Sequence, residues 1–542
     1  MDNFLSIKLT HNLILTIIAF ILNLSTSPSL IAQTDPDYPN IIFMIADDLG
    51  VDYFNGYHDS DLLPNTPTLD SIRAQGITFE NSFSTPMCTS SRATIMSGKH
   101  GIKTGVLSPP GNLDLKHKSI FTALEELTDN TYSDAVIGKW HISQPSNPLH
   151  PTEHNIDYYS GLLDAAVEDY YSWQKTENGV TTTENTYVTQ YLTDQAIDWI
   201  EDQNQPWFCW FAHAAPHSPF HLPPAELYTV GNTSSTKQKY VAMIESIDYE
   251  LNRLLSSIPQ DVKDNTIFIF IGDNGTPANF VQDYPTGHGK STLYQGGIRV
   301  PMIVSGVGVT RKGERESALV HINDIYATIL DLAGADLPGG IYNSLSFAHL
   351  LNGEPGNKRT YNYTDFEEEN TPTFAIRNER YKLIDYQNGM QEFFDLKEDS
   401  LEFNNLLLTS LSSEELLIKA ELETEANIRR TDWSCDDHIQ NGNETGIDCG
   451  GSNCLACVNS TTDSNSEVAI EIYPNPSYDV LYVISEVNIK KVSLFSITGQ
   501  LIKTFPNSDN KVEIDLSGIV SQELVLEIQL EDSVVRKQFY KL

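Results

Sequence analysis

A chain of 542 residues, 40 % of them hydrophobic and 20 % charged, has enough apolar material for several packed cores, which excludes a wholly disordered protein. Its 73 acidic residues against 34 basic ones give a formal net charge of -39. So acidic a surface repels polyanions, which excludes nucleic acid as a partner and requires any anionic substrate to bind at a local island of positive charge.

At the N-terminus, Lys8 and His11 precede the apolar run LILTIIAFILNL and then the small, polar STSPSLIAQ. The run is short for a membrane span and has the order of a secretory signal. Residues 1–32 are therefore expected to be a signal peptide cleaved near Ala32, with an N-terminal membrane anchor as the alternative.

Residues 37–360 alternate apolar runs with amphipathic stretches. NIIFMIADD and NTIFIFIGDNG are continuous apolar runs ending in carboxylates, the pattern of strands covered on both faces. YVTQYLTDQAIDWIEDQ and QKYVAMIESIDYELNRLLSSI carry apolar residues at three and four spacing, the pattern of helices. The expected fold is α/β, a large mixed, mostly parallel sheet between helices, with ligands at the carboxyl ends of its strands. Residues 361–430 change to short strands (TFAIRNERYKLIDY, QEFFDLKED) and one helical stretch, a smaller α+β subdomain.

Residues 431–468 form a linker holding Cys435, Cys449, Cys454 and Cys457 among Gly, Asn and Asp. Two disulfides, in any of three connectivities, or a four-thiolate zinc site both suit this spacing. Residues 469–542 alternate apolar and polar positions between turn residues, which predicts an appended antiparallel β-sandwich.

The chemistry-bearing residues sit in the α/β region. Asp47 and Asp48 follow one apolar run, and Asp273 and Asn274 the other. Adjacent carboxylates are costly to bury without a counter-charge, and an all-oxygen set suits a hard cation, Ca²⁺ or Mg²⁺. Cys88 stands alone in STPMCTSSRATIMSG, four residues before Arg92, a spacing that puts both on one helix face. Cys209, in PWFCWFAH, has only apolar neighbours and reads as an inert core residue. Lys139 and His141 in GKWH, His217 in APHSPFH and Lys290 in GHGKSTLYQGG supply the positive island that the acidic composition demands.

These motifs, in this order from PNIIFMIADDLG through CTSSRATIMSG, GKWH, PHSPF, GDNG and GGIRVPMIV to EFFDLKEDSLEFNNL, resemble the type I, formylglycine-dependent sulfatases over residues 37–428. The resemblance implies an alkaline-phosphatase-like sulfatase fold and removal of sulfate esters from a sulfated poly- or oligosaccharide, such as ulvan, carrageenan or fucoidan. It implies that a formylglycine-generating maturation enzyme oxidises Cys88 to formylglycine, whose hydrate is the nucleophile. A serine sulfate ester would be a stable dead end, whereas a second hydroxyl on the same carbon lets sulfate leave. The same resemblance assigns Asp47, Asp48, Asp273, Asn274 and the formylglycine to one Ca²⁺, with Mg²⁺ the lesser candidate. Arg92 and Lys139 would hold the formylglycine, His141 would be the base, His217 the acid, and Lys290 a sulfate ligand. Two positions depart from the family pattern: Ser90, where Pro or Ala is usual, and Gln295, where Glu is usual and a supporting role is expected.

IYPNPSYDVLYV with VSLFSITGQLIKTF is similar to C-terminal sorting domains of type IX secretion, and NGNETGIDCGGSNCLAC to the linkers found beside them. Both imply the type IX machinery as a partner and a secreted or outer-membrane surface-attached product. A carbohydrate-binding sandwich is the alternative for the tail. For the whole chain the alternatives are a phosphonate or phosphate ester hydrolase of the same superfamily and a catalytically silent polysaccharide-binding protein. Loops that contact substrate are expected around HPTEHNIDYYSG (150–161).

Overall fold

The computed structural model describes residues 38–335, 340–368, 371–431, 470–473, 480–485, 487–496, 501–506, 509–517, 519, 522–530 and 534–541. The expected signal peptide and Cys435, Cys449, Cys454 and Cys457 lie outside the described residues. The chain forms two compact units that divide between Asn427 and Ile428.

The first unit is built on ten strands: β1 (Asn40–Ala46), β2 (Gly76–Phe83), β3 (Ser133–Lys139), β4 (Tyr158–Leu162), β5 (Trp173–Glu177), β6 (Val180–Glu184), β7 (Trp207–Ala212), β8 (Thr266–Gly272), β9 (Met302–Gly306) and β10 (Glu314–His321). They lie in the order β10-β2-β9-β8-β1-β7-β3-β4-β5-β6. β8, β1, β7, β3 and β4 run parallel, while β9 enters antiparallel between β8 and β2. The sheet is therefore mixed, with a parallel centre.

Its two faces explain the continuous apolar runs. On β1, Ile41, Phe43 and Ile45 join a core with Ile95, Phe121, Leu124 and Ile329 from the helices Cys88–Ser97, Ile120–Leu127 and Asp324–Leu332. Ile42, Met44 and Ala46 point the other way, into a core with Leu192, Val241, Ile244 and Leu251 from the helices Val188–Glu201 and Thr236–Ser257. With both faces buried, each of the Ile, Phe and Met side chains contributes roughly 1.5–3 kcal/mol, and no polar residue is tolerated until the strand ends. The helix Thr236–Ser257 opens with a reciprocal cap in which Ser235 accepts from the Gln238 N–H and Gln238 accepts from the Ser235 N–H.

A four-stranded antiparallel sheet follows, Asn362–Glu368, Thr371–Arg377, Tyr381–Asp385 and Gln391–Asp395. Phe366, Ala375, Ile384 and Phe394 pack on Phe83, Ile298 and Leu319 of the large unit, and the helix Ser413–Thr431 covers the opposite face through Leu422 and Ala426. The second unit holds two antiparallel sheets whose Leu481, Val483, Ile514, Leu494, Leu524 and Leu526 share one core, the expected β-sandwich.

One expectation fails. Residues 150–161 are not a substrate-facing loop: His150–Glu153 is a short helix, and Tyr158–Gly161 lie within β4. His150 and His154 are buried, and His150 accepts from the Trp140 indole N–H at 3.1 Å.

The core also carries a pH liability. His213 is fully buried, its ring against Phe211 at 4.4 Å, and burial pushes its pKa down to about 3 from 6.5. The unfolded chain then binds a proton that the folded chain refuses, so this contribution to stability is intact above 6.5 and shrinks at lower pH, by about 1.4 kcal/mol per unit. His213→Leu is accordingly expected to narrow the gap in melting temperature between pH 7 and pH 5. An unchanged gap in paired thermal melts would contradict this reading.

Candidate active site

Four adjacent parallel strands deliver their loops to one end of the sheet. Ala46 is in register with Gly272, and Gly138 with Ala212, so Asp47 emerges beside Asp273, and Lys139 beside His213. The junction is tight: the Asp273 N–H donates to Ala46 O at 3.1 Å, the Asp47 N–H to Ala215 O at 3.0 Å, and the Asp48 N–H to Asp273 Oδ1 at 2.9 Å. Asp48 adopts a left-handed backbone, φ 68°, which turns its carboxylate back toward the Asp273 loop. A Cβ on Gly275 would lie 1.9 Å from Gly296 O, so only glycine fits after Asn274.

Cys88 opens a ten-residue helix, Cys88–Ser97, that is buried throughout. Its Sγ lies 3.2 Å from His141 Nδ1. Ser90, the departure from the family signature, places its hydroxyl 3.0 Å from Met87 O and 2.7 Å from Thr85 Oγ1. The hydroxyl is satisfied locally and the helix starts at Cys88 regardless.

Arg92 follows one turn later, buried with Cys88. Its guanidinium turns to other partners than residue 88: Nε and Nη2 donate to Asp273 Oδ2 at 3.2 and 2.8 Å, and Nη1 to Lys139 O at 2.7 Å. Lys139 pairs with Asp47, and Lys290 Nζ with Asp48 Oδ1 at 2.6 Å. His217 Nε2 stands 3.7 Å from Asp48 Oδ2. Asn274 Nδ2 donates to Asp48 Oδ1 at 2.9 Å, so the ten candidate catalytic and metal-binding residues form one cluster.

The charges are strongly coupled. Burial, reinforced by Asp273 and Asp48 and opposed by Lys139, raises Asp47 to about 8. Burial also pushes Asp48 up, but Lys290, His217 and Lys139 outweigh it and hold it at about 2. Burial, then Lys139 and Arg92, keep His141 well below its ordinary value, so it is a neutral imidazole able to accept a proton. Burial lowers His217 to about 4 against the pull of Asp48. Burial raises the Cys88 thiol, which makes it a poor nucleophile as a thiol.

The donor set fits a hard cation. Asp47 Oδ1 and Asn274 Oδ1 are buried acceptors with no hydrogen-bond partner. Asp47, Asp48 and His217 each bring one ligating atom within 4.8 Å of the others. Asp273 Oδ2 takes both Arg92 hydrogen bonds, whereas Oδ1 accepts from the Asp48 N–H and retains a second lone pair. Oxygen ligands in this number match calcium or magnesium rather than a thiophilic metal.

Three participants were invisible in the sequence. Thr89 places Oγ1 2.9 Å from His141 Nε2. The Tyr170 hydroxyl reaches both Ala214 O (2.7 Å) and His217 O (2.8 Å), fixing the turn that carries His217. Glu402 pairs with buried Lys382 at 2.6 Å and accepts from the Gln295 N–H, which anchors the GGIRVP turn. Thr89 and Glu402 lie within the quoted CTSSRATIMSG and EFFDLKEDSLEFNNL motifs and Tyr170 in none, and neither periodicity nor spacing marks their partners.

The Sulfatase family model matches residues 39–335, the model described as N-sulphoglucosamine sulphohydrolase, C-terminal, matches 287–429, and the secretion system C-terminal sorting domain matches 471–539. The sorting domain marks the chain for secretion. Arylsulfatase J of Mus musculus is 31 % identical over 320 residues, 54 % of this chain and 52 % of that protein, so the chain spans about half the length of this relative. N-acetylglucosamine-6-O-sulfatase of Bacteroides thetaiotaomicron is 24 % identical over 68 % of this chain and 82 % of its own. The crystal structure of Ps i-CgsB in complex with k-i-k-neocarrahexaose superposes with a TM-score of 0.63 at 23 % identity, covering 73 % of this chain and 93 % of that one. That likeness shows the fold, and the family model covers more than half of the sequence: the chain belongs to the sulfatase family.

Proposed function

We propose that this protein is an exported sulfatase that hydrolyses sulfate esters of a sulfated carbohydrate, an algal-type polysaccharide such as ulvan or its oligosaccharides. The observation that carries the reading is the convergence of Cys88 Sγ, His141, two unpartnered acceptor oxygens and the two lysines Lys139 and Lys290 on one buried point. The names of the relatives support a sugar ester. Bound here, calcium would neutralise the carboxylates and polarise a sulfate oxygen, while formylglycine at position 88 would supply a hydrated aldehyde as nucleophile.

The chain's own residues set up the rest. Asp47, Asp48, Asp273 and Asn274 would hold the metal, and Lys139 and Lys290, beside Asp47 and Asp48, would supply positive charge to the sulfate. The Cys88–Ser97 helix begins at the nucleophile position, so the positive end of its dipole would favour an anion there. Arg92 ties the nucleophile helix to Asp273 and to the Lys139 backbone, so the three move as one body. His141, neutral and within reach of position 88, takes the proton that must leave there. His217, on the turn fixed by Tyr170, gives a proton to the departing alcohol, and the anionic substrate beside it raises its affinity for that proton.

Two outcomes follow. Calcium is expected to raise the melting temperature and EGTA to abolish sulfate release. Asp47→Asn should lose most of the calcium-dependent thermal shift, and the same shift retained in that variant would exclude this metal site. His217→Ala should lower kcat on sugar sulfates by about 10²–10⁴-fold but cost far less on an activated aryl sulfate, whose leaving group needs no proton. An equal loss on both substrates would remove His217 from the acid role.

Against a phosphonate or phosphate ester hydrolase, turnover of matched aryl sulfate, phosphate and phosphonate esters discriminates directly. Two-metal phosphatases need a second ligand set. Here Lys139 and Lys290 occupy the space around the carboxylates, which favours the sulfate ester.

A further inference from the structure

Beyond His217 the pocket wall turns aromatic. Tyr170, Tyr187, Tyr171 and His221 form one cluster, with Tyr170 and His221 ring centroids 4.2 Å apart and Tyr171 and Tyr187 5.1 Å apart. His221 cannot serve as an acid, base or ligand, because both ring nitrogens are engaged. Nδ1–H donates to Pro219 O at 2.8 Å, and Nε2 accepts from the Tyr187 hydroxyl at 3.0 Å. What remains of His221 for a ligand is its ring surface. Tyr171 is 41 % exposed yet held in place, its hydroxyl donating to Leu222 O at 2.8 Å. Folding gains little from ordering an exposed ring, so its fixed position calls for another use.

The wall is tied to the reaction centre. The Tyr170 hydroxyl, adjacent in sequence to Tyr171, reaches His217 O, and His221 lies four residues after His217. In the other direction, Leu222, whose carbonyl holds the Tyr171 hydroxyl, lies four residues before Glu226, and Glu226 and Tyr228 line a groove of about 460 Å³ that includes Tyr249 and Asn252. Tyr249 is 48 % exposed. The track from His217 thus reads tyrosine, histidine, tyrosine, tyrosine, with amide and carboxylate edges.

We propose that Tyr171 and His221 form the platform that receives the sugar ring of the leaving alcohol, and that the groove past Tyr228 to Tyr249 receives the next units of the same chain. Flat rings flanked by amides and carboxylates match the C–H faces and hydroxyl edges of pyranoses. No lysine or arginine lines this groove, and Glu226, Glu245 and Asp248 supply its carboxylates. The track therefore selects longer chains over monosaccharides. This inference rests on the sulfatase reading above.

The test compares wild type, Tyr171→Ala and Tyr249→Ala, both at exposed positions, on a small aryl sulfate, N-acetylglucosamine 6-sulfate, and oligosaccharides of increasing length from ulvan, carrageenan and fucoidan. For wild type, KM should fall with chain length. Tyr171→Ala should raise KM on every sugar sulfate by about tenfold, the loss of one aromatic contact, with kcat within about threefold. Its inhibition constant for inorganic sulfate should not move, because the sulfate pocket is intact. Tyr249→Ala should raise KM only for the longer chains. Unchanged KM in Tyr171→Ala, or a parallel rise in its sulfate inhibition constant, would overturn the platform, and so would a wild type active on aryl sulfate alone. A wild type inactive on every sulfate ester would instead overturn the sulfatase reading itself.

Discussion

Cys88→Ser is expected to stop turnover, with a loss of at least about 10⁴-fold in steady-state sulfate release. The substitution is nearly isosteric at the first residue of a fully buried helix, so the fold and the 3.2 Å approach to His141 Nδ1 should survive. A serine hydroxyl can still attack sulfur once, since the metal ligands, Lys139 and Lys290 are untouched. It has no second hydroxyl through which the bound sulfate can leave. Incubation with an aryl sulfate should therefore leave the variant heavier by one sulfuryl group in intact-protein mass spectrometry. Serine turnover within tenfold of wild type would show that a simple hydroxyl suffices at this position.

Arg92→Ala should be the most destabilising single substitution at the site. Arg92 is 1 % exposed and makes three hydrogen bonds, two to Asp273 and one to Lys139 O. Its removal leaves Asp273 buried beside Asp47 and Asp48 with a cation missing, and breaking a buried pair from one side typically costs about 3–5 kcal/mol. Calcium should recover part of that loss by supplying positive charge to the same carboxylates, which a generic packing defect would not show. Thermal melts of wild type and variant, with and without calcium, measure both effects. A loss below about 1 kcal/mol would mean that solvent reaches the cluster.

Much of this site was legible in the sequence because it is local. Asp47–Asp48 and Asp273–Asn274 betray themselves by ending apolar runs in which a carboxylate has no apolar reason to be, and parallel pairing then brings the two ends together. Lys139 and His141 end a third such strand. The partners of these groups were not legible, because they are set by register between distant strands. Spacing places Arg92 near Cys88 but does not reveal that its guanidinium reaches Asp273, 181 positions away. The antiparallel β9 in the parallel sheet depends on pairing rather than on pattern. The segment 150–161 misled because its histidines and acids look soluble, whereas Trp140 and Leu113 O satisfy the rings of His150 and His154 inside the core. The aromatic track beyond His217 was equally hidden, since its members, residues 171, 221, 228 and 249, come from three separate segments.

The most direct test is the mass of the tryptic peptide that spans residues 74–92, taken from protein produced with a formylglycine-generating enzyme and from protein produced without it. An aldehyde in place of the thiol at Cys88 in the first sample, appearing together with sulfate release, is the predicted result. An intact thiol in protein that nonetheless releases sulfate would contradict it, because Cys88 would then not be the precursor of the nucleophile.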